Sequence, residues 1–261
     1  MNKKYLSEKG IYYFPREKFR DLVSRPHFYP KMLPSTIDKT FIDVLKEQND
    51  YQGETKVIVS EENLIALVQE VLTSKGFYKN IESRFKRINK FFSDVNVEAV
   101  YFTTRSYDEF LPSIYVQMNR ALNFKSFDSF MGRTSLDKLD WYDVVERIKN
   151  GINCERLIVE DFKSILKKPE NYYDDMIFGV PYSSLKGLDK YLNDGISNEA
   201  VMMSTFLSDE IGVTVTPKVF NKLSSLFPTL NYGKFTPIKG QLKQQMREKY
   251  QADVERIKSS L

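Results

Sequence analysis

Thiol and imidazole chemistry are nearly missing from this chain: its 261 residues include one cysteine, Cys154, and one histidine, His27. A lone thiol excludes an intramolecular disulfide, and together the two residues are too few for a zinc site built on paired Cys or His ligands. Such usage fits a reducing, cytoplasmic setting. No window approaches the ~20 consecutive apolar residues that span a bilayer, and the N-terminal stretch from Met1 to Lys9 has no apolar segment of signal-peptide length. Excess charge is scarce too. Lys+Arg 39 against Asp+Glu 35 leaves a formal net charge of +4, with the two signs interspersed, so the balance does not demand nucleic acid as a partner. Neither repeats nor a Gly/Ser linker nor a low-complexity tract is present, and a single domain over 1–261 is expected.

What is present reads as α/β. Short β-branched or aromatic runs flanked by polar residues predict strands at Lys56 to Ser60, Val97 to Thr104 and Arg156 to Val159. Apolar residues returning at spacings of three and four predict helices over Leu64 to Leu72, Ile81 to Phe92, Phe110 to Leu122 and Leu139 to Ile148. This alternation implies a mainly parallel sheet covered by helices. The last third is read as helical, with pieces at Asn198 to Ile211 and Pro217 to Leu226 and a long helix from Gln241. In that helix Leu242, Met246, Tyr250, Val254, Ile257 and Leu261 form one apolar stripe.

One junction draws attention for its chemistry. Arg105 follows a buried strand and precedes an amphipathic helix, and ligands of open α/β sheets bind outside the carboxyl ends of strands. A guanidinium there can take two phosphate oxygens. Ser106 and Glu109 have the spacing of a capping box, and Ser113 falls about two turns beyond Ser106 on roughly the same side. Arg105 and Ser113 are thus candidates to hold one anion, with a solvated strand-end arginine and a neutral helix serine as the alternative.

Arg105, Glu109, Ser113 and Tyr115, together with the downstream Glu160-Asp161-Phe162, Lys168-Pro169-Glu170 and Gly179-Val180, resemble the sulfotransferases that use 3'-phosphoadenosine 5'-phosphosulfate (PAPS) as sulfuryl donor. The order and distances agree over most of the chain. The resemblance is closer to bacterial, polysaccharide-directed members than to those acting on small molecules. It implies a three-layer fold like that of the P-loop NTPases, PAPS as cofactor, a hydroxyl of a glycan or other carbohydrate as acceptor, and Arg105 and Ser113 on the 3'-phosphate. Lys239, before Gly240 and the last helix, is similar to a basic residue that closes over that phosphate in some members. Glu160, Asp161 and Pro169-Glu170 read as scaffold, the acids capping backbone and the proline starting a helix.

Glu61, after the strand from Lys56, is placed by the resemblance where other members carry the base that removes the acceptor proton. It reads equally as a first-turn acid of a helix capped by Ser60. His27, between two prolines in an aromatic stretch, is the alternative base. The family's first strand and its loop rich in Gly, Ser, Thr and Lys, which cradles the 5'-phosphosulfate, have no counterpart. Gly132-Arg-Thr-Ser135 has the composition but follows no strand, and Leu6 to Pro15 is similar to the stretch downstream of that loop. The chain is therefore expected to start past it, with the loop encoded upstream, supplied by another chain, or lost in a degenerate, non-catalytic binding protein of the same fold, which is the rival reading. A glycosyltransferase is less favoured for want of an Asp-x-Asp to hold a nucleotide-sugar metal.

Overall fold

A computed structural model of the chain describes residues 2–28, 39–132, 135–186 and 195–261, and for 26–28 the backbone alone. Its elements run in order as α1 (Asn2–Ser7), β1 (Ile11–Phe14), α2 (Arg16–Phe19), a π-helix (Arg20–Phe28), α3 (Phe41–Lys46), β2 (Lys56–Val59) and α4 (Val68–Val71). Next come β3 (Leu72–Thr73), β4 (Gly76–Phe77), α5 (Glu82–Phe91), β5 (Ala99–Thr104), α6 (Tyr107–Ala121), α7 (Phe127–Met131) and α8 (Trp141–Gly151). After these come β6 (Arg156–Asp161), α9 (Phe162–Lys167), α10 (Pro169–Met176), α11 (Asn198–Thr205), α12 (Pro217–Leu226), α13 (Thr229–Tyr232) and α14 (Gly240–Ser260). The class is α/β, with short parallel sheets and many helices.

Contacts gather the chain into two compact units, one of Met1–Leu67, Asn80–Thr104 and Asp143–Asp189, the other of Val68–Lys79, Arg105–Tyr142 and Lys190–Leu261. The first unit carries both parallel pairs. β1 lies beside β2 in the register Ile11 to Lys56 through Phe14 to Val59, and β5 beside β6 from Ala99 with Arg156 to Thr104 with Asp161. β-Branched and aromatic residues supply both pairs, as a half-buried pleated surface favours. Its core holds Phe14, Phe19, Phe41, Phe85, Ile88 and Phe91, with edge-on ring contacts such as Phe14 on Phe19 at 5.3 Å.

Among the described residues the second unit is mainly helical, with the β3–β4 hairpin, in which Leu72 pairs with Phe77, and a single bridge between Ser197 and Lys234. Phe77, Tyr107, Phe110 and Trp141 form one aromatic cluster, with Phe77 and Phe110 each edge-on to the Trp141 ring. Tyr115 packs among Phe124, Phe127, Phe130 and Phe235 in another. On α14 the buried positions are Met246, Tyr250, Asp253 and Ile257. The ends of the expected stripe, Leu242 and Leu261, are exposed, and a carboxylate joins its middle.

Two expectations about local structure fail. Leu64 to Leu72 is not one helix: 62–65 is turn and bend, only Val68–Val71 is helical, and Leu72 belongs to the hairpin. Val68 and Val71 stand on a single helical turn and Leu72 on the strand after it, so one apolar run spans two elements and its spacing misled. Ser60 accordingly caps no helix. The strand at Ile11–Phe14 was missed because four residues between Gly10 and Pro15 carry too short a pattern to register alone.

Candidate functional site

The Arg105 junction lies where β5 hands over to α6. β5 ends at Thr104, and α6 runs for 15 residues from Tyr107. Ser106 holds extended ψ before the helix, yet its hydroxyl makes no cap bond to the backbone. It donates instead to Asp108 Oδ1. Glu109 turns the other way, its Oε2 lying 3.5 Å from Arg105 Nε. The expected capping box is therefore absent, because each of its two members has found a charged or polar partner outside the box.

These choices assemble a charged cluster on the first turn of α6. Asp108, 2% exposed, receives Arg247 Nε of α14 at 2.9 Å as well as the Ser106 hydroxyl. Trp141 Nε1 donates to the Arg105 carbonyl at 2.8 Å and fixes the backbone from which the Arg105 side chain leaves. Glu109 and Ser113 lie four apart on α6 and share one of its sides, with Ser113 half-buried, and Arg105, two residues before the helix, reaches that side through Glu109. The N–H groups of a helix start, a guanidinium and a hydroxyl suit a phosphate oxyanion. Arg105 and Arg247 face Asp108 and Glu109 with the four charges summing to zero, so an incoming phosphate competes with Glu109 for Arg105.

Tyr115, matched by the same spacing, is wholly buried among phenylalanine rings, and burial drives its hydroxyl pKa well up. It is core. Lys239 is exposed at the N-cap position of α14. Arg105, Ser113 and Lys239 all belong to the second unit, whereas Glu61 belongs to the first.

Glu61 has a side chain of 0% exposure. Its Oε1 receives Arg20 Nη2 at 2.7 Å and the Asn63 N–H at 2.9 Å, and its Oε2 receives Arg20 Nε at 3.0 Å and the Ser24 hydroxyl at 3.4 Å. A carboxylate offers about four lone-pair directions, and here four donors meet them. The bond to Glu61 pushes the Arg20 pKa further up. Arg20 and Ser24 stand on the π-helix, whose wider turn places residues four apart together on one carboxylate.

Elsewhere the scaffold readings hold. Asp161 caps α9 by accepting the Ser164 N–H at 3.0 Å, and Pro169 opens α10 with Glu170 in its first turn. The side chain of His27 and residues 133–134 of the Gly-Arg-Thr-Ser stretch lie outside the described residues. The partnership of Arg247 with Asp108, and that of Arg20 with Glu61, escaped the sequence reading. Each joins residues far apart in the chain, and no local spacing marks them. Among the described residues no group of three or more His, Cys, Asp or Glu could hold a metal ion, and no helix is long and apolar enough to cross a membrane. Comparison with protein-family models, with curated proteins and with solved structures finds no match to this chain.

Proposed function

We propose that the chain is a sulfotransferase-like protein of the three-layer, P-loop-like class that binds PAPS and serves sulfuryl transfer to a carbohydrate hydroxyl. Arg105 and Ser113 take the 3'-phosphate and Lys239 adds positive charge to the same group. What supports the reading is Arg105, placed between a parallel strand and α6 and paired with Glu109 of the helix's first turn, with Ser113 one turn further on the same helix side. In the transfer, the acceptor oxygen bonds to sulfur as the bond from sulfur to the 5'-phosphate oxygen breaks, and the hydroxyl proton leaves to a base. Glu61 serves as that base only after giving up Arg20, since its acceptor directions are filled.

A second reading, nucleotide binding without transfer, is favoured by that same saturation of Glu61. Isothermal titration with 3'-phosphoadenosine 5'-phosphate tests the shared claim. A charge-assisted bond is worth about 1.5–3 kcal/mol, so Arg105→Ala should weaken binding by about tenfold or more. Glu109→Gln, which frees Arg105 from its competitor, should tighten it. Equal affinity in the parent protein and Arg105→Ala removes the reading. A transfer assay with labelled PAPS and a mixture of oligosaccharides then separates enzyme from binder.

A further inference from the structure

A second candidate site stands in the first unit, where residues from α1, β1, β2 and the segment after α10 enclose a cleft of about 300 Å³. Its floor is apolar. Ile11 and Val180 belong to a core cluster with Leu6, Ile58 and Ile177. Its walls are two aromatic rings, each attended by an ammonium: Lys9 Nζ lies 5.9 Å from the centre of the Tyr5 ring, and Lys56 Nζ lies 4.2 Å from that of Phe178. Among the described residues neither amine meets a carboxylate, whereas the nearby Lys3 and Lys18 both pair with Asp50 at 3.3 and 3.0 Å.

The backbone that presents Phe178 is strained. Phe178 and Gly179 take φ of 58° and 78°, two successive left-handed residues, held by N–H bonds to the Asp175 and Asp174 carbonyls at 3.1 and 2.7 Å. Glycine enters that region freely, but a phenylalanine there costs about 1–2 kcal/mol. Helices that end in a left-handed residue usually put glycine at that place, and here the glycine comes one position late. The strain keeps an aromatic ring under Lys56, and strain of this kind gathers at ligand clamps.

We propose that this cleft binds an acidic sugar, one or two rings in size, carrying a sulfate or carboxylate group. Two ammoniums without acid partners call for an anion, and their seats on ring faces hold them in place while leaving N–H donors to point outward. The apolar floor suits the C–H face of a pyranose. The volume sits at the low end for small-ligand pockets, which begin at about 300 Å³. A nucleic acid would need a longer basic track and successive open ring faces, whereas Lys56 already covers Phe178. The proposal is independent of the nucleotide reading, because its residues lie in the first unit and Arg105 and Ser113 in the second.

The test is titration calorimetry of the full chain with a 6-sulfated galactosamine–glucuronate disaccharide. Comparison arms use its desulfated methyl ester, inorganic sulfate and a short single-stranded RNA. Binding of the sulfated disaccharide alone, weakened tenfold or more in Lys9→Gln/Lys56→Gln with an unchanged circular dichroism spectrum, is the expected result. Phe178→Leu, which keeps an apolar side chain against the Ile58 and Val180 cluster but removes the ring that seats Lys56, should lower affinity with little change in Tm. Arg105→Ala should bind the disaccharide as the parent does. The proposal is overturned by equal binding of the uncharged ester, of sulfate alone or of RNA, by no binding of the sulfated disaccharide, or by an unaltered affinity in the double lysine variant.

Discussion

The Arg20 guanidinium grips both carboxylate oxygens of Glu61, through Nε at 3.0 Å and Nη2 at 2.7 Å. Glu61 is fully buried and Arg20 keeps 19% of its side-chain surface. Removing one member of a buried pair strands the other, at a typical cost of about 3–5 kcal/mol, and the partial exposure of Arg20 puts this pair near the lower end. Glu61→Ala and Arg20→Ala are each expected to destabilise by about 3 kcal/mol. In the double variant the losses should fall well short of additive. Urea denaturation of the four proteins checks this, and additive losses would show that the pair is not coupled.

The sequence carried three of the four parallel strands and the longer helices but not this pair. Val57, Ile58 and Val100 to Phe102 announce strands because burial on a pleated sheet selects such residues, and Pro217 announces the start of α12 because it needs no N–H partner there. The place of Ser113 on α6 was legible through helical spacing, which is local. The distant partners of Glu61, Asp108 and Asp253 were not, since they come from 37 to 146 residues away and charge pairing leaves no periodic trace. Spacing also misled at Ser106 and Glu109, where the neighbouring side chains of Asp108 and Arg105 take the place of the cap.

Asp253 of α14 is the second case. Its Oδ2 receives the Tyr107 hydroxyl and, at 3.1 Å, the Trp141 N–H. Burial raises its pKa above the ordinary 3.8, and the bonds from Tyr107 and Trp141 oppose the rise without cancelling it. A carboxyl whose folded value is raised adds stability that is complete below pH 3.8 and lost as pH climbs through the folded value. The stability of the parent relative to Asp253→Asn should thus decline from acid to neutral pH. Denaturant melts across that range read it directly, and a difference that stays flat or rises would contradict the sign. Tyr107→Phe, which removes one of the donors, should cost about 1–3 kcal/mol.

Arg247 and Asp108 tie α14 to the start of α6. Arg247 is half exposed, so solvent screens the pair, while Asp108 at 2% exposure bears the cost of losing it. Arg247→Met should destabilise by about 1 kcal/mol, and amide exchange should quicken in the first half of α14 before the rest. Asp108→Asn, which keeps an acceptor for Ser106 and removes the buried charge, should restore part of the loss in the double variant. If exchange in α14 is untouched by Arg247→Met, the tether is not holding the helix.

Gly151 closes α8 against Phe85 of α5. A methyl group built there would lie 2.2 and 2.8 Å from the Phe85 ring carbons, well inside contact distance. Phe85 is buried at 3% exposure and cannot swing aside without disturbing Ile88 and Phe91 on the same helix face. Intrinsic propensity pulls the other way, since alanine gains about 1 kcal/mol over glycine within a helix. At the last residue of α8 that gain shrinks, while overpacking a core costs about 1–3 kcal/mol, so the clash wins. Gly151→Ala should lower stability by about 1–2 kcal/mol, and Phe85→Leu, harmful alone through its cavity, should recover part of the loss when combined with it. Thermal melts of the two single variants and the double decide the matter. A Gly151→Ala protein as stable as the parent would mean that the ring yields, and with it that the α5–α8 contact is looser than 2.2 Å implies.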